Sequence, residues 1–165
     1  MNATVSPESM HIRKATLDDA SAVSALILSL AHHFLLRADG SGAEGFLLSL
    51  EPEGIARNIG APELDYYVGT AAGQLMGVIA VRNGTHLFHL FVGHPFQRGG
   101  VARALWSHIK KAYGWPSASV ATTVNSTPSA LSFYKRIGFH TVGARVEAKG
   151  IAYVPMQLAQ LSRSS

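Results

Sequence analysis

The chain has 165 residues, of which 47% are hydrophobic, a formal net charge of +4 and no cysteine. This length and apolar content predict one domain over residues 1–165 with a sizeable core and a flexible start at residues 1–9. Without cysteine the chain has no disulfide, thiolate nucleophile or cysteine metal site, and its eight histidines lack ligand spacing, so we expect no metal. No apolar run is long enough to cross a bilayer and no signal-peptide pattern is present. We therefore expect a soluble, cytoplasmic protein with no membrane partner.

Acidic and basic residues are separated along the chain. All ten Asp and Glu lie within residues 8–65 or at Glu147, and residues 66–146 carry Arg and Lys but no carboxylate. This part of the protein is predicted to have a positive field that attracts polyanions. We expect no nucleic-acid partner, because the basic residues follow helix ends and lack interleaved exposed aromatic residues.

The first half of the chain predicts one strand, two helical stretches and an antiparallel meander. In chain order, the predicted elements are a strand at 10–14, a helix capped at 16–19 that ends near Leu36, a glycine-rich mobile loop at 37–45, a helical stretch at 46–58 interrupted near Pro52, and strands at 64–71, 74–82 and 85–92.

The third strand of the meander is apolar on both faces, which suits an internal strand. Simple alternation predicts that one face carries His86, Phe88, Leu90 and Val92 and that the other carries Leu87, His89 and Phe91.

A glycine turn and a helix follow this strand. Residues 93–95 end the strand, and residues 97–100 lead into a helix that starts at Val101 and ends before Gly114. The first turn of a helix has unpaired N–H groups and partial positive charge, so a phosphate could bind there beside Arg98 and Arg103. An ordinary strand-to-helix turn has the same pattern, and the spacing alone leaves both interpretations open.

The last third predicts a strand at 119–124, a helix capped by Thr127 and ended by Gly138, and a hairpin of strands at 139–146 and 151–158. No internal repeat is present.

Two motifs in this frame resemble those of the GNAT superfamily of acetyl-CoA-dependent N-acetyltransferases. The spacing Gln97-x-x-Gly100-x-Ala102 is similar to the family's Arg or Gln, two residues, Gly, one residue, Gly or Ala, whose amides hold the CoA pyrophosphate. The segment 127–139 is similar to the family's Asn-x-x-Ala-x-x-x-Tyr-x-x-x-Gly-Phe. Thr127 replaces the Asn, and the contact with the pantetheine arm is left open between Thr127 and Asn125.

The resemblance implies an α+β fold with a mixed sheet, mostly antiparallel, with helices on both faces and a splay between its fourth and fifth strands. It implies that these strands part beyond Leu90 and Ser119. A bulge near residues 90–92 is expected to leave backbone groups unpaired, so that the pantetheine arm can lie there like an added strand.

The implied activity is direct transfer of acetyl from acetyl-CoA to a primary amine within a ternary complex. The resemblance makes the Leu90 N–H the donor to the carbonyl oxygen and Tyr134 the acid for the leaving thiolate. With no carboxylate on the central strand, His86 is the candidate base or water relay, with a solvent-facing strand-end histidine as the other open interpretation. His89 is expected to be structural.

The resemblance implies acetyl-CoA as the only cofactor, with CoA as product and no metal. The implied cofactor-binding residues are Leu90, Phe91, Val92, Gln97, Arg98, Gly99, Gly100, Val101, Ala102, Arg103, Asn125, Thr127, Phe133 and Tyr134.

The acceptor is a small-molecule amine or a peptide or protein amino group, and assembly as a homodimer is left open. Four acids, Asp39, Glu44, Glu51 and Glu53, fall where the family covers its acceptor site, so they indicate either a cationic amine or simply a solvated helix surface.

A serine hydrolase is excluded, because no serine has a matching histidine and carboxylate. The alternative function is a non-catalytic acyl-CoA-binding sensor or regulatory module.

Overall fold

The structure is a computed structural model that describes residues 9–160. The expectation of a flexible start at residues 1–9 lies almost wholly outside these residues. No helix within residues 9–160 is long and apolar enough to span a membrane. The helices and strands are β1 (His11–Lys14), α1 (Ala20–Ser29), α2 (Glu44–Ser49), α3 (Pro52–Gly60), β2 (Leu64–Ala71), β3 (Gln74–Arg82), β4 (His86–Val92), α4 (Val101–Tyr113), β5 (Thr123–Ser126), α5 (Leu131–Arg136), β6 (Phe139–Thr141), β7 (Val146–Ala148) and β8 (Ile151–Leu158).

The strands form one mixed sheet in the order β1-β2-β3-β4-β5-β8-β6, and β7 pairs with β8 outside this path. The β4–β5 pair is parallel and the other pairs are antiparallel. Helices α1 and α3 cover one face, and α4 and α5 cover the other. The predicted mixed-sheet fold with helices on both faces is confirmed.

Each face of the sheet has its own apolar core, as expected for internal strands. On β3, Ile79 packs on the α4 side and Val78 on the α1 side, and both are fully buried. Helix α4 buries Val101, Leu105 and Ile109, which recur at four-residue spacing and so lie on one helix face.

The first helix is shorter than predicted. Helix α1 ends at Ser29, and a 3₁₀ turn at Ala31–His33 follows instead of a helix to Leu36. The next residues pair with the start of β8, because the Leu36 N–H donates to the Gly150 carbonyl and the Ala152 N–H donates to the Phe34 carbonyl. This long-range pairing, which no local pattern indicates, replaces the predicted last turns of helix.

Two strands near the end of the chain also differ from their predicted bounds. Strand β5 begins at Thr123 rather than at 119, because the Ser119 N–H bonds to the Ser117 hydroxyl within a local bend. The predicted strand at 139–146 is divided into β6 and β7. The β6–β8 ladder stops at Thr141 opposite Met156, beside Pro155, which has no N–H to continue it.

The predicted bulge is present in β4, but it lies at Phe88 rather than at residues 90–92. The register passes from Val81 opposite Leu87 to Ala80 opposite His89, so Phe88 is the extra residue. The Phe88 and His89 rings consequently lie on the same side and stack with 4.2 Å between centroids.

The bulge makes the predicted alternation of β4 wrong. Three residues pack on the α4 side, namely Leu87, Leu90 and Val92. Phe88 and Phe91 pack on the α1 side, and His89 joins them there against Tyr66. His86 and His89 are therefore not on opposite sides of the strand, because an inserted residue reverses the face of everything that follows it.

Candidate active site

A gap opens in the sheet between β4 and β5. The two strands pair only at His86 with Thr123 and at Leu87 with Val124, so they part after Leu87 rather than beyond Leu90. The bulge explains this position. Leu87 directs its backbone N–H and C=O groups towards β5. In a regular strand His89, two residues later, would do the same, but the extra residue at Phe88 turns the backbone groups of His89 towards β3.

The backbone of β4 beyond the bulge presents hydrogen-bonding groups to this gap. The Gly93 N–H donates to the Met76 carbonyl over 2.8 Å. Because hydrogen-bonded pairs alternate along an antiparallel ladder, Phe91 bonds to Val78 in β3. Leu90 and Val92 therefore direct their N–H and C=O groups away from β3, into the gap where β5 no longer pairs with β4.

The first turn of α4 closes one end of the gap. Gly100 precedes the helix with φ of +89°, a left-handed conformation that suits glycine, and no side chain caps the turn. The first turn of the helix, from Val101, thus has N–H groups without intrahelical partners. Gln97 fixes the turn to the strand, because its Nε2 donates to the Val92 carbonyl over 3.0 Å.

Two adjoining pockets follow the gap. A pocket of about 360 Å³ lies over the start of α4, and its lining includes the guanidinium residues Arg98, Arg103 and Arg136. A pocket of about 440 Å³ runs between the parted strands, with Leu90 and Tyr134 in its wall. Every predicted cofactor-binding residue except Gly99 lines at least one of these pockets.

Tyr134 is a buried residue of α5 that reaches the larger pocket. Its ring makes edge contacts with Phe133 and Phe139, 5.4 and 5.5 Å between centroids. Burial raises the pKa of the Tyr134 hydroxyl, so the group stays protonated near neutrality. Among the described residues the hydroxyl has no hydrogen-bond partner, which leaves its proton available to a group in the pocket.

His86 lies at the start of β4, and it is absent from the linings of both pockets. Its Nδ1 shares a hydrogen bond of 2.8 Å with the Thr123 hydroxyl. Burial lowers the pKa of His86, and the charge of Arg82 lowers it further, so the imidazole is neutral near pH 7. Any role in proton transfer therefore passes through water.

The pocket walls include residues that sequence reasoning did not assign to the site. His89 and His33 line the larger pocket together with Leu30, and Arg136 lines the smaller one. Arg136 follows Tyr134 on α5 in the second motif, and its basic side chain there is the signal that could have indicated it. His89 had no such signal, because its facing depends on the bulge.

The four acids of the first half, Asp39, Glu44, Glu51 and Glu53, do not line either pocket. Two of them cap their own loop: Asp39 accepts from the Ser41 N–H, and Glu44 accepts from the Gly42 N–H. Among residues 9–160 no cluster of three or more His, Asp or Glu side chains could hold a metal ion.

An opened sheet edge, an uncapped helix start and a pocket rich in arginine form adjoining surfaces that suit an elongated anionic ligand. Residues 34–160 match the family model described as the acetyltransferase (GNAT) domain. The protein belongs to the GNAT acetyltransferase family. No curated protein sequence matches the chain.

Solved structures with the same fold are distant in sequence. A GCN5-related N-acetyltransferase from Rhodopseudomonas palustris is 16% identical, with a TM-score of 0.74 over 96% of this chain and 99% of that one. The PaiA N-acetyltransferase from Thermoplasma acidophilum, in complex with coenzyme A, is 15% identical, with a TM-score of 0.66 over 91% and 98% of the two chains. An aminoglycoside 6'-N-acetyltransferase complexed with coenzyme A is 12% identical, with a TM-score of 0.64 over 94% and 99%.

Proposed function

We propose that this GNAT acetyltransferase moves acetyl from acetyl-CoA to a primary amine by direct transfer within a ternary complex. The observation that carries the proposal is the joint position of the Leu90 N–H and the Tyr134 hydroxyl at one gap, which is continuous with the start of α4. Acetyl-CoA, when bound, supplies the activated acyl group as a thioester.

The residues of the site fit this cofactor. The N–H groups of the first α4 turn, with Arg98, Arg103 and Arg136, would hold the pyrophosphate. The N–H and C=O groups of Leu90 and the N–H of Val92 would pair with the pantetheine amides as an added strand does, since the Val92 carbonyl already accepts from Gln97. On the opposite edge, Asn125 and Thr127 line the same pocket, so the contact that replaces the family Asn stays open between them.

Three protein groups support the chemistry. As the amine nitrogen bonds to the acetyl carbon, the Leu90 N–H donates to the carbonyl oxygen, where negative charge develops. Tyr134 would give its proton to the thiolate sulfur that leaves when the amine displaces it from the acetyl carbon. The amine loses its proton to water that His86 relays, a role that remains a prediction.

The proposal includes a single domain over the whole chain and a cytoplasmic location, which cell fractionation would test. A non-catalytic acyl-CoA-binding module is the second candidate function. The unpartnered Tyr134 hydroxyl favours the enzyme, because a module that only binds has no use for a buried proton donor at the gap.

Calorimetry with CoA and an acetyl-transfer screen over primary amines test the proposal together. Gly100→Asp puts a carboxylate at the start of α4 and should weaken CoA binding at least about tenfold. Gly100→Asn is the matched control, since both residues tolerate left-handed backbone and they differ in charge. Equal CoA affinity in the two variants would contradict phosphate binding at this turn, and CoA binding without turnover of any amine would favour the sensor.

A further inference from the structure

A buried histidine in the wall of the larger pocket has no part in the chemistry above. His89 is only 8% exposed, and its Nδ1 is hydrogen-bonded to the Tyr66 hydroxyl. Its Nε2 has no hydrogen-bond partner among the described residues. Among those residues, the side-chain polar atoms that are fully buried and have no hydrogen-bond partner are Ser41 Oγ and Thr122 Oγ1. His89 Nε2 is not one of them, so this unpaired atom is accessible to solvent. The space open to it is the pocket that His89 lines.

The hydrogen bond to Tyr66 determines which imidazole nitrogen carries the proton. Tyr66 is 2% exposed, and burial raises the pKa of its hydroxyl, so the hydroxyl keeps its proton and needs an acceptor. The Asn58 amide interacts with the same oxygen as a donor. Nδ1 of His89 is the acceptor available, and Nε2 therefore carries the hydrogen.

His89 is consequently a fixed donor and not a base. Burial lowers its pKa to about 3, and the positive charge of Arg82 contributes in the same direction. The ring is held in place by stacking on Phe88 and by the edge contact with Tyr66. A neutral imidazole of this kind presents one N–H group to the pocket and does not take a proton from an amine near pH 7.

Apart from the imidazole of His33, this pocket end is apolar, and it contains no carboxylate. Burial, and then the neighbouring His32 and His94, lower the pKa of His33, so it adds no positive charge near pH 7. Leu30, Phe88 and Phe91 form its wall. The Arg82 guanidinium lies over the Phe88 ring, 5.0 Å from its centroid, so the nearby charge is positive. A second cationic group on an acceptor would find no counter-charge here, whereas an oxygen would find a donor.

We propose that the acceptor is a monoamine with a carbonyl or carboxylate oxygen close to its amine and an apolar body, and that the His89 Nε2–H group binds this oxygen. The inference rests on the proposed acetyl transfer, because it specifies the class of amine that the same site accepts. His89 is then a specificity-determining residue.

Three amines test the inference: phenylalanine amide, phenethylamine, which lacks the oxygen, and spermidine, which adds positive charge. We expect the wild-type kcat/KM for the amide to exceed that for phenethylamine by about tenfold to a hundredfold. His89→Phe keeps a ring of similar size and should remove this preference by lowering the rate for the amide alone. Tyr66→Phe should reduce the preference, because free Nδ1 lets the imidazole change tautomer. Tyr67→Phe is the matched control, since Tyr67 packs on the opposite face against His108.

Circular dichroism verifies that each variant is folded, and thermal shifts with CoA present measure amine binding independently of turnover. A preference for phenethylamine or spermidine in the wild type overturns the inference, as does a preference for the amide that survives in His89→Phe. If CoA binds and no amine is acetylated, the proposed transfer fails. The thermal shifts still decide the inference: the amide should stabilise the wild type more than His89→Phe, and absence of any shift overturns it.

Discussion

Two buried polar side chains at the larger pocket, Tyr134 and His89, differ in their hydrogen bonding. The Tyr134 hydroxyl has no partner among the described residues, whereas His89 is fixed through Tyr66. Burial keeps both groups neutral, by raising the pKa of the phenol and lowering that of the imidazole. A free hydroxyl suits proton donation to a transient thiolate, and a fixed N–H suits recognition of a substrate.

Removal of the Tyr134 hydroxyl should affect the rate and not the binding of CoA. We expect Tyr134→Phe to lower kcat by about ten- to a thousandfold, the range for loss of one positioned acid, because the thiolate then leaves without a proton. Calorimetry should give a nearly unchanged CoA affinity. Tyr153→Phe on β8 is the control, since Tyr153 does not line either pocket. Wild-type turnover in Tyr134→Phe would make Tyr134 a core residue only.

The pH dependence of the rate tests His86. A histidine with a lowered pKa is neutral near pH 7 and can accept a proton through water. We expect His86→Ala to lower the transfer rate near neutrality, and much of the loss to disappear at about pH 9, where more of the amine is already neutral. Rate profiles are measured with one saturating amine for both proteins. Parallel profiles would limit His86 to its hydrogen bond with Thr123.

At the scale of elements, sequence patterns predict the strand bounds and helix ends that depend on local turns and caps. The strands at 64–71 and 74–82 coincide with β2 and β3, and α4 begins and ends at its glycines, because turns and caps are local. The predicted position of the bulge at residues 90–92 is wrong, because the observed position at Phe88 depends on how β3 and β4 pair. Simple alternation therefore predicts the wrong face for His89, whereas motif spacing alone predicts Tyr134, which lines the larger pocket.

A polar cluster joins three elements behind the site. Asp65 on β2 accepts a hydrogen bond from Tyr113 at the end of α4, and forms an ion pair of 3.0 Å with Lys14 on β1. The Tyr113 hydroxyl, and then Lys14, lower the pKa of Asp65 against the opposing effect of partial burial. The carboxylate thus stabilises the fold above its unfolded pKa, and this contribution is lost as the pH falls through the lower folded value.

Asp65→Asn should therefore destabilise the protein in a pH-dependent way. We expect the free energy of unfolding to fall by about 1 kcal/mol at pH 7, because a charged acceptor is lost and the exposed ion pair with Lys14 adds little. The difference from wild type should narrow below about pH 4 as the wild-type carboxyl protonates. Urea denaturation at pH 7 and below about pH 4 measures the free energy of unfolding of the wild type and of the variant. Asp18→Asn is the exposed control. A pH-independent difference would rule out the carboxylate charge as its cause.

At the scale of the whole molecule, the uneven charge of the sequence becomes a spatial arrangement. The span 66–146, which has no carboxylate, supplies α4, α5 and the turn between β4 and α4. These elements surround the smaller pocket, where Arg98, Arg103 and Arg136 meet. Charge distribution alone predicted attraction of a polyanion, and the fold concentrates that charge at one end of the gap.

If this positive field contributes to CoA binding, the affinity for CoA should fall with salt concentration. The size of this salt effect should depend on the arginines at the smaller pocket and not on lysines elsewhere. The Debye length falls from about 10 Å at 0.1 M salt to about 3 Å at 1 M, so we expect wild-type affinity to fall about tenfold or more over this range. The double variant Arg98→Gln with Arg136→Gln should bind more weakly at low salt and show a shallower salt slope, because two contacts with phosphate are lost. The matched control, Lys110→Gln with Lys111→Gln, removes the same charge from the other end of α4 and should keep most of the affinity and of the slope. Equal losses in the two double variants would mean that net charge alone attracts CoA, and an unchanged slope in both would contradict phosphate binding by these arginines.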